Sequence, residues 1–150
     1  MLYTVADSNP PRGTKYFLRE PAAVSSVKFP RGKVIEETEQ VSLVYPDMIA
    51  TAISSRSTSA PDNSLYIFGT QGTVVGRGIF GVTIKGALER NGKIVDSYNG
   101  GSPYEGEIRS FASLARGEKN NIALGEDGEA VVSIVNAANE SAATGRAVSL

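Results

Sequence analysis

The stretch that most constrains this chain is residues 125–150, GEDGEAVVSIVNAANESAATGRAVSL, which bears the marks of one amphipathic helix with both ends specified. Val131, Ile134, Val135 and Ala138 repeat at i, i+3, i+4 and i+7, the spacing of a single buried stripe. Ala142 and Ala143 extend the stripe with side chains small enough to let a helix lie close to a flat partner such as a sheet. Glu126, Asp127 and Glu129 crowd the first turn, where the helix dipole favours negative charge. Gly145 stands where a left-handed C-cap belongs, Arg146 follows to meet the last carbonyls, and Val148 and Leu150 leave as an apolar tail. One helix cannot bury such a stripe alone, so the residues before it must supply a platform.

That platform is β by pattern. Residues 1–5 fit a short strand or a mobile end, and DSNPPRG at residues 7–13 is a loop by composition. Residues 15–19 and 24–29 are strand candidates ended by Pro21 and Pro30. Residues 33–39 are more polar, while 41–45, VSLVY, alternate as a strand should. Pro46-Asp47 turns the chain into a partner strand at 48–54, with Ile49, Thr51 and Ile53 as its expected inward set. Further strands are expected at 65–68, 72–75 and 81–85. Asn91-Gly92 between residues 87–90 and 93–95 is the strongest hairpin signal, because the pair suits the positive dihedrals of a type I′ turn.

A second helix is expected after Gly100-Gly101. Ser102 suits the N-cap, Pro103 the first helical position, and Glu105 the reciprocal half of a capping box. Ile108, Phe111, Leu114 and Ala115 give it an apolar face, and Gly117 stops it. Roughly eight strands followed by two helices predict an α+β fold: one large, mainly antiparallel, open sheet with both helices packed on one face, in a single domain over residues 1–150.

Composition narrows the chemistry. The formal net charge is −1, which offers nothing to nucleic acid or an anionic membrane surface. There is no cysteine and no histidine, which removes disulfides, thiolate and imidazole metal sites, and Ser-His or Cys-His catalysis. The absence of cysteine fits a cytoplasmic protein, and no leader-like apolar run or membrane-length span is expected. Glu36, Glu37 and Glu39 form an acidic cluster able to act as acid and base or to hold a cation, or simply to lie on a solvated strand face. Lys15, Arg19, Lys28, Arg31 and Lys33, with Tyr16 and Phe29 among them, make the early part basic as a single-strand platform would be, but the net charge and the absence of a binding motif argue against that and favour ordinary surface lysines.

Four blocks, in order, resemble the second domain of the Gfo/Idh/MocA oxidoreductases. The ending AANESAATGRAVSL at 137–150 is similar to the family's Ala-Ala…Ser…Gly-Arg closing helix. Residues 35–56 resemble its acidic-then-apolar strand pair, LYIFGTQGTV at 65–74 its Ile-x-Gly-Thr-x-Gly-Thr-Val segment, and YEGEIRSFASLARGE at 104–118 its Tyr-x-x-Glu-Ile-x-x-Phe…Gly helix. The resemblance implies NAD or NADP as the cofactor of a full-length relative, a sugar or cyclitol as substrate, and the open sheet face as a subunit interface. It implies a weak substrate-pocket role for Tyr98, Asn99 and Tyr104 around the Gly-Gly turn, where packing is the competing role for Tyr104.

The departures bear directly on function. The family's first domain cradles a pyrophosphate with Gly-x-Gly-x-x-Gly at the start of a helix. The nearest string here, Gly76-Arg77-Gly78-Ile79-Phe80-Gly81, lies late in the β region with no helix after it. The family's active-site lysine sits in Glu-Lys-Pro, whereas this chain has Arg19-Glu20-Pro21, and it has no histidine. The expectation is therefore a chain with no catalytic residue, no metal and no cofactor of its own. It would act as an oligomerising sheet domain, or as a non-enzymatic module bound to a separate dinucleotide-binding subunit. Both residue sets of 48–54 contain apolar side chains, which favours a homo-oligomer formed face to face through the sheet.

Overall fold

The computed structural model describes residues 2–6, 21–31, 35–57, 63–80, 85–118 and 122–150. Eight strands form one sheet: β1 (Leu2–Ala6), β2 (Ala23–Arg31), β3 (Ile35–Val44), β4 (Ile49–Ser55), β5 (Leu65–Gly69), β6 (Gly72–Arg77), β7 (Lys85–Arg90) and β8 (Lys93–Asn99). Two helices follow, α1 (Pro103–Ala115) and α2 (Gly125–Thr144). The sheet order is β2-β3-β4-β1-β5-β6-β7-β8. Antiparallel blocks of three and four strands are joined by β1, which runs antiparallel to β4 and parallel to β5. The sheet is open and the class is α+β, as the segregated order of strands and helices predicts.

Residues 33–39 and 41–45 are not separate strands. The polar start and the VSLV run make one strand, β3, which pairs with β2 from Ile35 to Val44 and with β4 from Thr38 to Val44. Pro30 does not end β2; the register shifts between Phe29 and Pro30, the irregularity a strand proline requires. The expected strand at 15–19 lies outside the described residues.

Asn91 and Gly92 adopt φ of 50° and 74°, as the Asn-Gly signal predicts. The Asn91 side chain also ties two turns together. Its Oδ1 accepts the Thr73 N–H at 2.8 Å, and its own N–H donates to the Thr73 carbonyl at 2.9 Å. Gly72 makes room for this contact, since a Cβ there would sit 2.0 Å from Asn91 Oδ1.

The core lies where α2 meets β2 and β3. Val24, Ala137 and Ala138 are buried together, with Val41, Leu43 and Val148 packed against them. The buried face of α2 is Ala130, Ala137, Ala138 and Ser141. This corrects the sequence expectation, because Val131 and Val135 are exposed and Ile134 is half-buried. The reason is distance: a helix pressed onto an edge strand needs small side chains at the contact, and those are the alanines and the serine. Residues Val24, Leu43 and Ala50 are paired in register across β2, β3 and β4, and so share the helix-side face. It follows that Ile49, Thr51 and Ile53 of β4 lie on the opposite, open face, where Ile49 and Ile53 are exposed. Their expected inward placement is reversed.

The outer edge of β2 is covered over its first residues. Val24 and Val148 exchange both backbone hydrogen bonds, at 2.8 and 2.9 Å, so the tail after α2 pairs with the edge strand. The Ser26 N–H on that edge is taken by Ser141 Oγ at 3.0 Å. The first part of this edge, at Val24 and Ser26, is thereby closed to further strand addition.

The C-cap Gly145 has φ 67° and donates to the Ser141 carbonyl at 2.8 Å, as expected. At the other end of α2 the Asp127 carboxylate accepts the Leu124 N–H at 2.7 Å. In α1 the expected capping box does not form. Ser102 makes no side-chain cap, and Glu105 instead pairs with Arg109 one turn on, at 2.6 Å. No residue of α1 is buried, and Ile108 and Phe111 stand 67% and 61% exposed. The sheet platform that buries α2 does not bury the α1 stripe.

Candidate functional site

Tyr98 and Asn99 end β8, Gly100 and Gly101 follow with φ of 86° and 104°, and Tyr104 lies in the first turn of α1. Tyr98 is half-buried, and its phenol donates to the Arg77 carbonyl at 2.9 Å. The close approach is made possible by Gly86, where a Cβ would fall 1.8 Å from the same carbonyl oxygen and 3.3 Å from the Tyr98 ring. Asn99 and Tyr104 are exposed. The Tyr98 hydroxyl is therefore committed to the fold, while the other two side chains face solvent.

A polar depression of about 580 Å³ lies at the far end of α2, lined by Glu140, Thr144, Arg146 and Val148. None of the three expected residues lines it.

Of the acidic cluster, Glu39 is tied into the fold. Glu39 accepts from Ser26 Oγ at 3.0 Å and lies 3.6 Å from Lys28 Nζ, which in turn donates to Asn139 of α2 at 2.5 Å. These contacts tie β2, β3 and α2 together. The side chains of Glu36 and Glu37 lie outside the described residues. Among the described residues no three acidic, cysteine or histidine side chains converge on one point. No described helix is long and apolar enough to cross a membrane.

The most organised side-chain cluster stands on the open face and was not legible beforehand. Arg77 Nε donates to Glu89 Oε1 at 2.7 Å, Arg77 Nη1 donates to Tyr66 Oη at 3.3 Å, and the guanidinium lies 5.8 Å from the Tyr66 ring centre. The Glu89 hydrogen bond, chiefly, raises the guanidinium pKa further and fixes its charge. Tyr66 stacks on Phe68 with ring centres 6.4 Å apart. Alternation alone places Tyr66 and Phe68 on one face, but the diagonal Arg77–Glu89 pair depends on the β6–β7 register, which no local pattern reveals. Ile49, Ile53, Val44 and Phe68 continue this face as exposed apolar surface, and Tyr66 and Val75 lie half-buried on it.

The nearest glycine motif leads nowhere near a phosphate cradle. Gly76 closes against Ile79, and the motif follows strand β6 and precedes strand β7 in the chain, with Gly81 outside the described residues.

An open, mainly antiparallel sheet with two helices after it defines an α+β fold class. The chain has the fold of part of the Gfo/Idh/MocA-type oxidoreductases. The aldose-aldose oxidoreductase of Caulobacter crescentus, solved with glycerol, matches with a TM-score of 0.70 at 17% identity, over 99% of this chain and 55% of its own. A provisionally named myo-inositol dehydrogenase of Sinorhizobium meliloti matches at 0.66 and 20%, over 99% and 55%. An oxidoreductase of Agrobacterium radiobacter, solved with NAD+, L-tartaric acid and magnesium, matches at 0.55 and 18%, over 99% and 56%. The chain thus spans about half the length of the solved structures it matches. No family model and no curated protein matches the sequence.

Proposed function

We propose that this chain is the sheet domain of an NAD(P)-dependent sugar or cyclitol oxidoreductase, catalytically silent alone and acting in the cytoplasm as a homo-oligomer. In the complete enzyme hydride would pass between a substrate ring carbon and the nicotinamide, with both cofactor and proton acceptor held by the part of the matched oxidoreductases that this chain does not span. The observation that carries this reading is the coverage: 99% of this chain against 53–57% of the oxidoreductases it matches. The open face supplies the means of association. A row of apolar side chains from Ile49 to Phe68, with the Arg77–Glu89 pair beside it, suits a second copy related by a two-fold axis. Tyr104 and Asn99 are the side chains we assign to the rim of the substrate pocket once the other half is in place.

A second reading is favoured by one observation, the placement of the only Gly-x-Gly-x-x-Gly string between two strands. In it the chain is a non-enzymatic module that binds a separate dehydrogenase subunit.

Calorimetric titration of the purified chain with NADH and with NADPH tests the first reading. No saturable binding is expected, and a micromolar constant for either nucleotide would overturn it.

A further inference from the structure

The charge pair on the open face stands among apolar neighbours. Tyr66, Val75 and Glu89 are register partners across β5, β6 and β7, so their side chains form one row. Arg77 lies two residues beyond Val75 on the same face, opposite Ala87. Phe68 stacks on Tyr66 at the other side of the row. One cation and one anion thus rise together from a surface of aromatic and aliphatic side chains.

The chain itself uses only part of this pair's bonding capacity. The Nε–H of Arg77 goes to Glu89 Oε1 and one Nη1–H to Tyr66 Oη, which leaves both hydrogens of Nη2 to solvent. Glu89 accepts through Oε1, and its Oε2 has no donor among the described residues. The two side chains are 50% and 20% exposed, and an ion pair so wet adds little to the stability of one chain. Covering the face changes that balance. Once water is excluded, the spare donors and the spare acceptor need partners, or burial of the charges opposes association.

We propose that Arg77 and Glu89 set the register of a face-to-face dimer: across a two-fold axis beside β6 and β7, Arg77 Nη2 of each copy donates to Glu89 Oε2 of the other. This pairing rests on the homo-oligomer reading of the open face. A two-fold axis presents a patch to its own copy, and a patch with one charge of each sign is complementary to itself, because cation meets anion at two symmetric points. The two charge-assisted bonds satisfy the spare groups of both copies together. An apolar row alone would tolerate sliding by one strand spacing, about 4.8 Å. The charges forbid it, because a slipped dimer buries them without partners.

Charge reversal with sedimentation equilibrium as the readout tests this. Arg77→Glu puts two anions on each patch, and Glu89→Arg two cations. Each variant alone should dimerise at least about a hundredfold more weakly than wild type, with an unchanged far-ultraviolet spectrum. An equimolar mixture should recover dimers containing one of each, although neither copy holds an intact pair of its own. The double variant Arg77→Glu/Glu89→Arg should dimerise within about tenfold of wild type. Lys85, two residues from Ala87 on the same face, is exposed and serves as the control. Lys85→Glu changes the charge as much as Arg77→Glu does and should weaken association less than about tenfold. If wild type is dimeric but the mixture stays at single-chain mass, or Lys85→Glu is as weak as Arg77→Glu, the charge register is overturned and the interface stands. Wild type at single-chain mass overturns the interface, and the register with it.

Discussion

The backbone N–H of Ser26 is received by the hydroxyl of Ser141, 115 residues further along the chain, at 3.0 Å. Both serines are buried, Ser141 to 2% exposure. The bond joins the outer edge of the first antiparallel block to the last turns of α2, beside the Val24–Val148 pairing. Ser141→Ala leaves a buried donor without a partner and should cost about 1–3 kcal/mol. Urea unfolding measures it, and Ser133→Ala, on the half-buried part of the same helix, is the comparison that should change the midpoint least.

The packing face of α2 makes a sharper prediction. Ala138 is buried against the sheet, whereas Val135 is 51% exposed. Ala138→Leu should cost about 1–3 kcal/mol or more through overpacking. Val135→Ala should stay within roughly 0.5 kcal/mol in the single chain. Equal midpoints for the two variants would mean that the helix sits on its valine stripe instead.

The Gly72–Asn91 contact predicts that two turns are coupled. Gly72→Ala forces a Cβ against Asn91 Oδ1 at a φ of 134°, and should cost more than about 1 kcal/mol. Asn91→Ala removes the acceptor of the Thr73 N–H. Because both changes break the same contact, the double variant should be less destabilised than the sum of the singles in a denaturation cycle.

Burial raises the Tyr45 phenol above its ordinary value of 10.0. A raised folded pKa means that the folded state holds its proton longer. Stability is therefore unaffected below about pH 10 and falls as pH rises from there through the raised value. Tyr45→Phe should remove this alkaline loss. Urea midpoints measured from about pH 8 to pH 11 check it, and parallel curves for the two proteins would contradict it.

Much of this architecture was legible because it is local. The Asn91-Gly92 hairpin, the Gly145 cap, Pro103 at the start of α1 and the strand-then-helix order all follow from one or two neighbouring residues. The failures share one cause. Which face of α2 is buried depends on what it meets, and an edge strand at close range selects Ala137, Ala138 and Ser141 over Val131 and Val135. The orientation of Ile49 and Ile53 depends on which face that helix covers. The insertion of β1 between β4 and β5, and the diagonal Arg77–Glu89 pair, are long-range registers with no periodic signature. For the candidate site, the sequence identified Tyr98, but its hydroxyl is bonded to Arg77 of the fold. The open-face cluster around Tyr66 was visible only as two alternating aromatics.

The central claim is that the open face joins two copies, and light scattering at micromolar concentration tests it most directly. A symmetric face-to-face dimer of this kind should bury more than about 1,200 Å² in total. Phe68, 38% exposed beside Tyr66, should sit within that interface. The wild-type chain is expected to scatter at twice its chain mass across a tenfold dilution series, and Phe68→Asp to scatter at the mass of one chain with an unchanged far-ultraviolet spectrum. A wild-type chain of single mass throughout, or a Phe68→Asp variant that remains dimeric, would contradict the account.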